Sequence, residues 1–175
     1  MLKVTLHRLR GLIGRDCIVC QGGRVSVDEN HCRVDLLGFN RSLAAVEAAP
    51  APQWDPLRGL LQQYAAGLFA DETHAQWAVG VREQLRTRLQ QCLHACVLAC
   101  IAEERWQELA TCCRQGLGLD ARDEVCHLGL IEACLELGRP RDAQEAYRHC
   151  IDLIPAGRAS SLGATFHARL GSSSS

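Results

Sequence analysis

The chain has 175 residues, 22% of them charged and 47% hydrophobic, a balance that gives one or two small domains with a real core and excludes a largely disordered protein. Its longest mostly apolar stretch, Cys92 to Ala102, contains His94 and falls well short of the roughly 20 residues of a membrane helix, and Met1 opens a charged amphipathic run with no apolar signal core. These features imply a protein without a membrane span, expected in the cytoplasm, where its eleven cysteines are read as reduced thiols that pack as small hydrophobes at Cys92, Cys96, Cys100 and Cys134.

A net charge of -1 hides a basic amino-terminal end, because residues 1 to 24 carry Lys3, Arg8, Arg10, Arg15 and Arg24 against only Asp16. Met1 to Ile13 predicts a short helix with Leu2, Leu6, Leu9 and Ile13 on one face and Lys3, His7, Arg8 and Arg10 largely outside that stripe. Cys17 to Cys20 and Arg24 to Val27 then read as two β-branched strands joined at Gln21-Gly-Gly23. The donors Cys17, Cys20, His31 and Cys32 have the types that close a tetrahedral zinc site. An acid-capped helix from Asp35 to Glu47 leads into the linker Ala48-Ala-Pro-Ala-Pro-Gln53. Trp54 and Pro56 open the next helix, whose apolar face is Leu57, Leu60, Leu61 and Tyr64.

Further helices are expected at about His74 to Glu103, Trp106 to Leu117, Glu124 to Leu137, Pro140 to Leu153 and Ser160 to Leu170, the first of them containing a break. Within that first helix Leu85, Leu89, Cys92 and Cys96 recur at three- and four-residue steps, with Val97 adjoining, the stripe of a helix packed on a neighbour. The turn Leu137-Gly-Arg-Pro140 separates two helices, since Gly suits a left-handed helix end and Pro a first turn. The tail from Gly171 to Ser175 has no apolar residue to dock and is expected to be disordered.

Sliding the chain by 34 positions aligns Arg105 with Arg139, Leu109 with Ala143, Cys113 with Tyr147, Leu117 with Ile151, Leu119 with Leu153 and Ala121 with Pro155. A helix-turn-helix period of that length is the tetratricopeptide repeat, in which each unit buries its apolar face only against its neighbours and the stack presents a groove to a protein partner. The fold class expected is mainly α: a tetratricopeptide-like helical repeat with a small amino-terminal helix and β-hairpin.

Catalytic patterns find no support. His94, His127 and His149 stand isolated on predicted helices, and the vicinal pair Cys112-Cys113 falls on a packing position. Gly22-Gly23 and Gly116-x-Gly118 lack the Lys-Ser or Lys-Thr of a phosphate loop. Neither an enzyme nor a cofactor is expected.

Leu6-His-Arg-Leu-Arg10, Ile18-Val-Cys-Gln-Gly-Gly-Arg-Val-Ser-Val27 and Cys32-Arg-Val-Asp35 resemble the recognition helix and wing of the OmpR-like winged-helix domains of bacterial transcriptional regulators. Leu60-Leu-Gln-Gln-Tyr-Ala-Ala-Gly-Leu-Phe69, Gln76-Trp-Ala-Val-Gly-Val-Arg-Glu-Gln-Leu85 and Arg105-Trp-Gln-Glu-Leu109 resemble the bacterial transcriptional activation domain, the tetratricopeptide-like module of antibiotic-regulatory proteins of that class. The resemblance spans Met1 to Leu170. It implies a partial winged helix over residues 1–35, a connecting helix and linker over 36–53, the activation domain over 54–170 and the tail over 171–175. The family's winged helix has a leading sheet and further helices before the recognition helix, so its DNA-binding element is expected to be truncated here.

The resemblance further implies that Thr5, His7 and Arg8 face base edges while Lys3, Arg10 and the wing residue Arg24 meet phosphates; the alternative is a solvated basic face. It also sets Cys17 and Cys20 on one strand, three apart and facing opposite ways, against a shared zinc ion. The function expected is that of a bacterial transcriptional regulator, or a fragment of one, whose repeat contacts a protein partner or a second copy as a homodimer and whose full-length form binds DNA, with no membrane partner. The alternative is a repeat scaffold without DNA binding.

Overall fold

A computed structural model describes residues 2–32, 34–67 and 76–153. The helix expected from Ser160 to Leu170, the tail from Gly171 and the repeat position Pro155 lie outside these residues. The described residues form seven helices and one two-stranded sheet, so the chain is mainly α as expected. By its internal contacts the chain divides into two compact units, Met1–Ser42 and Leu43–Ser175.

The first unit begins with α1 (Leu2–Ile13), followed by β1 (Ile18–Gln21) and β2 (Arg24–Val27). The strands pair antiparallel, Ile18 opposite Val27 and Gln21 opposite Arg24. Gly22 and Gly23 both take left-handed backbone, with φ of 59° and 75°, which gives a two-residue turn the twist of the flanking strands. Cys17 stands just before β1, which begins one residue later in the chain than expected. Cys17 and Ile18 are buried, whereas Val19, Val25 and Val27 remain substantially exposed.

Helix α2 (Asp35–Glu47) starts where the acid cap predicts, with Asp35 Oδ1 accepting the Leu36 N–H at 2.7 Å. The boundary between the two units falls inside it. Helix α3 (Trp54–Ala65) buries Leu57, Leu60 and Leu61 and leaves Tyr64 half-buried, its hydroxyl donating to the Arg82 carbonyl at 3.3 Å.

The remaining helices are α4 (Gln76–Ala102), α5 (Trp106–Leu119), α6 (Glu124–Glu136) and α7 (Pro140–Leu153). Each packs on its sequence neighbour, α3 lies against α4 and α5, and α4 also touches α6. The 34-residue period is visible in the backbone: α5 and α7 start 34 positions apart. The turns that precede them are the same object. Glu104 and Gly138, also 34 apart, have φ of 54° and 67°, and Arg105 N–H donates to the Cys100 carbonyl as Arg139 N–H does to that of Cys134, both at 2.8 Å. The bonds from Glu104 to Ile101 and from Gly138 to Leu135 complete a Schellman cap in each unit.

Contrary to the expected break, α4 runs unbroken through Gln76–Ala102. The reason lies 34 positions upstream of the α5–α6 turn. That turn is closed by Asp120, whose Oδ1 accepts the Arg122 N–H, and by Asp123, whose Oδ1 accepts the Cys126 N–H. The equivalent residues in α4 are Arg86, Thr87, Arg88 and Leu89, which supply no carboxylate to compete for backbone N–H groups. Arg86 pairs instead with Glu83, and Arg88 with Glu47 at 2.7 Å. The stripe of α4 also differs by one residue from expectation: Leu93 is fully buried, while Cys92 is only partly so.

Two glycines let α5 and α6 approach closely. A Cβ on Gly116 would run into Cys126 Sγ and Leu93, and one on Gly129 would lie 2.8 Å from Cys113 Sγ and 3.3 Å from both Leu109 and Val97. All eleven cysteines are free thiols, and most are buried, which suits a side chain small enough to fill this seam.

The left-handed cap position should respond to substitution in opposite senses in the two units. Gly138→Ala is expected to cost about 1 kcal/mol, whereas Glu104→Gly relieves comparable strain and loses part of the gain to a freer unfolded chain. Urea denaturation should show G138A destabilised and E104G neutral to stabilised. At the seam, Gly116→Ala and Gly129→Ala are each expected to lose about 1–3 kcal/mol by overpacking, again measured as a lowered denaturation midpoint.

Candidate functional site

The basic residues of the first unit are set by α1 and by the hairpin turn. Lys3, Thr5, His7 and Arg8 are exposed along the helix, and Arg24 is exposed at the start of β2. Two residues apart on a helix means about 160° around its axis, so Thr5 and His7 face nearly opposite ways. Lys3, His7 and Arg10 share one row by their four- and three-residue steps, and Thr5, Arg8 and Leu12 share another. His7, Arg10, Gly11 and Arg15 line a concavity of about 470 Å³.

Arg10 differs from the other candidate contacts. Its guanidinium donates to the Ile18 carbonyl at 3.0 Å and reaches Cys20 Sγ at 3.6 Å, so it fastens α1 to β1. That contact with the hairpin was not visible from helix periodicity, which set Arg10 with the cations outside the apolar stripe.

The Cys17 and Cys32 thiols lie within hydrogen-bond reach of each other, but Cys17, Cys20, His31 and Cys32 do not form one cluster. Cys17 is buried, its thiol donating to the Ile13 carbonyl at 2.9 Å, while Cys20 is exposed and the His31 ring pairs with Asp28 at 3.2 Å. Hydrogen bonds from the Asn30 backbone and from His31 hold the Asp28 carboxyl below its ordinary value. Among the described residues, three metal-ligand side chains meet elsewhere, at His94, Asp123 and Cys126.

This second cluster is built on α4 and the first turn of α6. Asp123 is the N-cap of α6 and is 4% exposed, a carboxylate taken out of water. Its Oδ1 accepts the Cys126 N–H at 3.1 Å, and its Oδ2 is shared by Gln90 Nε2 at 2.6 Å and His94 Nε2 at 2.7 Å. Burial pushes the Asp123 carboxyl up, but the bonds from Gln90, His94 and the Cys126 backbone outweigh it, and the group is held below the ordinary 3.8. The histidine that looked isolated therefore has an aspartate partner 29 residues away, brought to it by the packing of α6 on α4. Neighbouring His127 is also buried, with Nε2 at 2.9 Å from the Ala121 carbonyl and its ring 6.1 Å from that of His149.

The buried thiols around this cluster are poor nucleophiles. Burial pushes Cys96 up to about 11 and Cys112 further still, and a hydrogen bond to Cys126 together with burial drives Cys113 up as well. Between α3 and α5, Leu61, Gln62, Tyr64, Ala65, Gln115, Gly118 and Leu119 line a mostly apolar cleft of about 520 Å³. Among the described residues it brings together no acid–base pair.

Removing the Asp123 carboxylate takes away a helix cap and strands the polar groups of Gln90 and His94, so Asp123→Ala is expected to cost about 2–4 kcal/mol, and Asp123→Asn less because the cap acceptor remains. Since the folded-state value lies below the unfolded one, this contribution is present above pH 3.8 and fades as the pH falls through the lowered value. Denaturation midpoints of wild type and D123A should therefore converge in acid and separate near neutrality.

The family model described as bacterial transcriptional activator domain matches residues 34–156, which takes in α2 through α7 and leaves α1 and the hairpin outside. No curated protein and no solved structure matches the chain. No described helix is long and apolar enough to cross a membrane.

Proposed function

The chain belongs to the bacterial transcriptional activator domain family, and from that membership we propose that it is a regulator, or part of one, in which the helical repeat makes the protein contacts and the basic first unit contacts DNA. The match across the repeat carries the reading. It supports transcription control as the context in which a repeat surface and a basic helix–hairpin unit are used together. The protein is proposed to act without catalysis, through binding alone.

The repeat offers a contact face of its own. Residues 94 and 128 occupy equivalent positions of consecutive units, as do 98 and 132, so Leu98 and Leu128 stand on one face of α4 and α6. Leu98 is 63% exposed and Leu128 40% exposed, an apolar pair presented to solvent where a partner chain would cover it. A second copy is the simplest partner. Sedimentation equilibrium should show a concentration-dependent dimer that Leu98→Asp with Leu128→Asp dissociates; a monomer at every concentration overturns self-association.

For the first unit, Lys3 and Arg24 are proposed as phosphate contacts, as expected, and Arg8 is moved to the phosphates from the base-edge role expected of it, because its row-mate Thr5 and His7 face nearly opposite ways around α1. Arg10 is reassigned to holding α1 on the hairpin. Titration of a fluorescent DNA duplex at several salt concentrations should give an affinity that falls steeply with salt, and Lys3→Ala, Arg8→Ala and Arg24→Ala should each lower the slope by about 1. Absence of binding even at low salt would sink the DNA contact and favour the reading as a protein-binding scaffold.

A further inference from the structure

The geometry points to a zinc-type metal site formed by His94, Asp123 and Cys126 at the junction of α4 with the first turn of α6. The three ligand atoms lie within 4.8 Å of one another, drawn from two helices that pack together. Zinc bonds of about 2.0–2.3 Å in a tetrahedron set ligand atoms about 3.3–3.6 Å apart. His94 Nε2 and Asp123 Oδ2, now 2.7 Å apart, would separate by less than about 1 Å, and the sulfur would close by a comparable amount.

The donor set suits this class of ion. One imidazole nitrogen, one carboxylate oxygen and one thiolate sulfur are the ligand types of a borderline-soft divalent cation, and they fit neither calcium nor magnesium, which take oxygen. Charge also balances. A divalent ion held by the Asp123 carboxylate, the Cys126 thiolate and a neutral His94 leaves the buried cluster with no net charge. Cys126 releases its thiol proton to solvent as the Zn–S bond forms, and any proton on His94 leaves with it. No electron moves.

The surroundings provide what supports metal ligands elsewhere. Gln90 Nε2 already donates to the Asp123 carboxylate at 2.6 Å, and the Cys113 thiol is hydrogen-bonded to Cys126, so two of the three ligands carry an outer partner. Gly116 leaves the room that the Cys126 sulfur occupies. The His94 side chain is 32% exposed while those of Asp123 and Cys126 are buried, so entry and the fourth, water position lie on the histidine side. The amino-terminal cysteines, which look more like a zinc motif in sequence, are not brought together in this way.

The test uses the full chain, reduced and stripped with a chelator, and titrated with Co2+ and then Zn2+. One equivalent of Co2+ should give the visible bands of tetrahedral cobalt with a thiolate charge-transfer band, Zn2+ should displace it, and the melting temperature should rise with bound metal. His94→Gln and Cys126→Ser should each weaken binding by at least about 100-fold, exceeding the usual loss for outer-shell partners. A combined Cys17→Ser, Cys20→Ser and Cys32→Ser variant should bind as the wild type does. Should Cys126→Ser fail to fold, His94→Gln at its partly exposed position decides the matter. The site is overturned if no tetrahedral spectrum forms, if His94→Gln leaves it unchanged, or if the signal disappears with the amino-terminal cysteines.

Discussion

The buried carboxylate of Asp123 fixes how the repeat is assembled. It caps α6 through the Cys126 N–H and, with its other oxygen, holds Gln90 and His94 of α4. A charge removed from water costs several kcal/mol unless its lone pairs are filled, so only the register that brings all these donors together is tolerated. The start of α6 is thereby tied to the middle of α4, and α5 is trapped between helices whose separation is already set. Its seam with α6 then closes to a distance that only Gly116 and Gly129 permit.

Seen from this seam, the cysteine content has a packing explanation. Cys113 faces the backbone at Gly129, and Cys126 faces that at Gly116, so each thiol sits opposite a missing side chain. A larger apolar residue would push the helices apart and strain the buried bonds at Asp123. Serine would fit by size but leave a hydroxyl needing a partner in an apolar seam. Sulfur gives polarizable contact at small volume. The same burial that makes these thiols good packing groups raises their pKa and makes them weak nucleophiles.

Features encoded within a few residues were legible in the sequence. The hairpin followed from Gly22 and Gly23, α2 from its Asp35 cap, and α3 from Leu57, Leu60 and Leu61. The 34-residue period was legible too, and it located α5 and α7 and the turns before them. What escaped depends on tertiary register. His94 and Asp123 are 29 residues apart, and no helical periodicity connects them. The choice of Leu93 over Cys92 for the buried stripe turns on a rotation of one residue, and the inward reach of Arg10 turns on where the hairpin lies. One miss had a readable signal: the Asp120 and Asp123 pair that breaks the chain between α5 and α6 has no counterpart at Arg86 to Leu89, so continuity of α4 was available by comparing the repeat with itself.

That comparison also separates what the repeat needs from what this protein adds. The Schellman turns at Glu104 and Gly138 are common to both units and define the architecture, even where glutamate occupies a backbone conformation better suited to glycine. The carboxylate at Asp123 belongs to one unit alone, since its equivalent position is Leu89, a fully buried apolar residue. His94 is likewise matched by Leu128, which is exposed and apolar. A polar cluster of donors has thus been set where the period alone calls for apolar side chains, and it survives burial only because every member of it holds another. Departures of this kind from a repeat's own pattern are where a shared scaffold acquires chemistry particular to one chain.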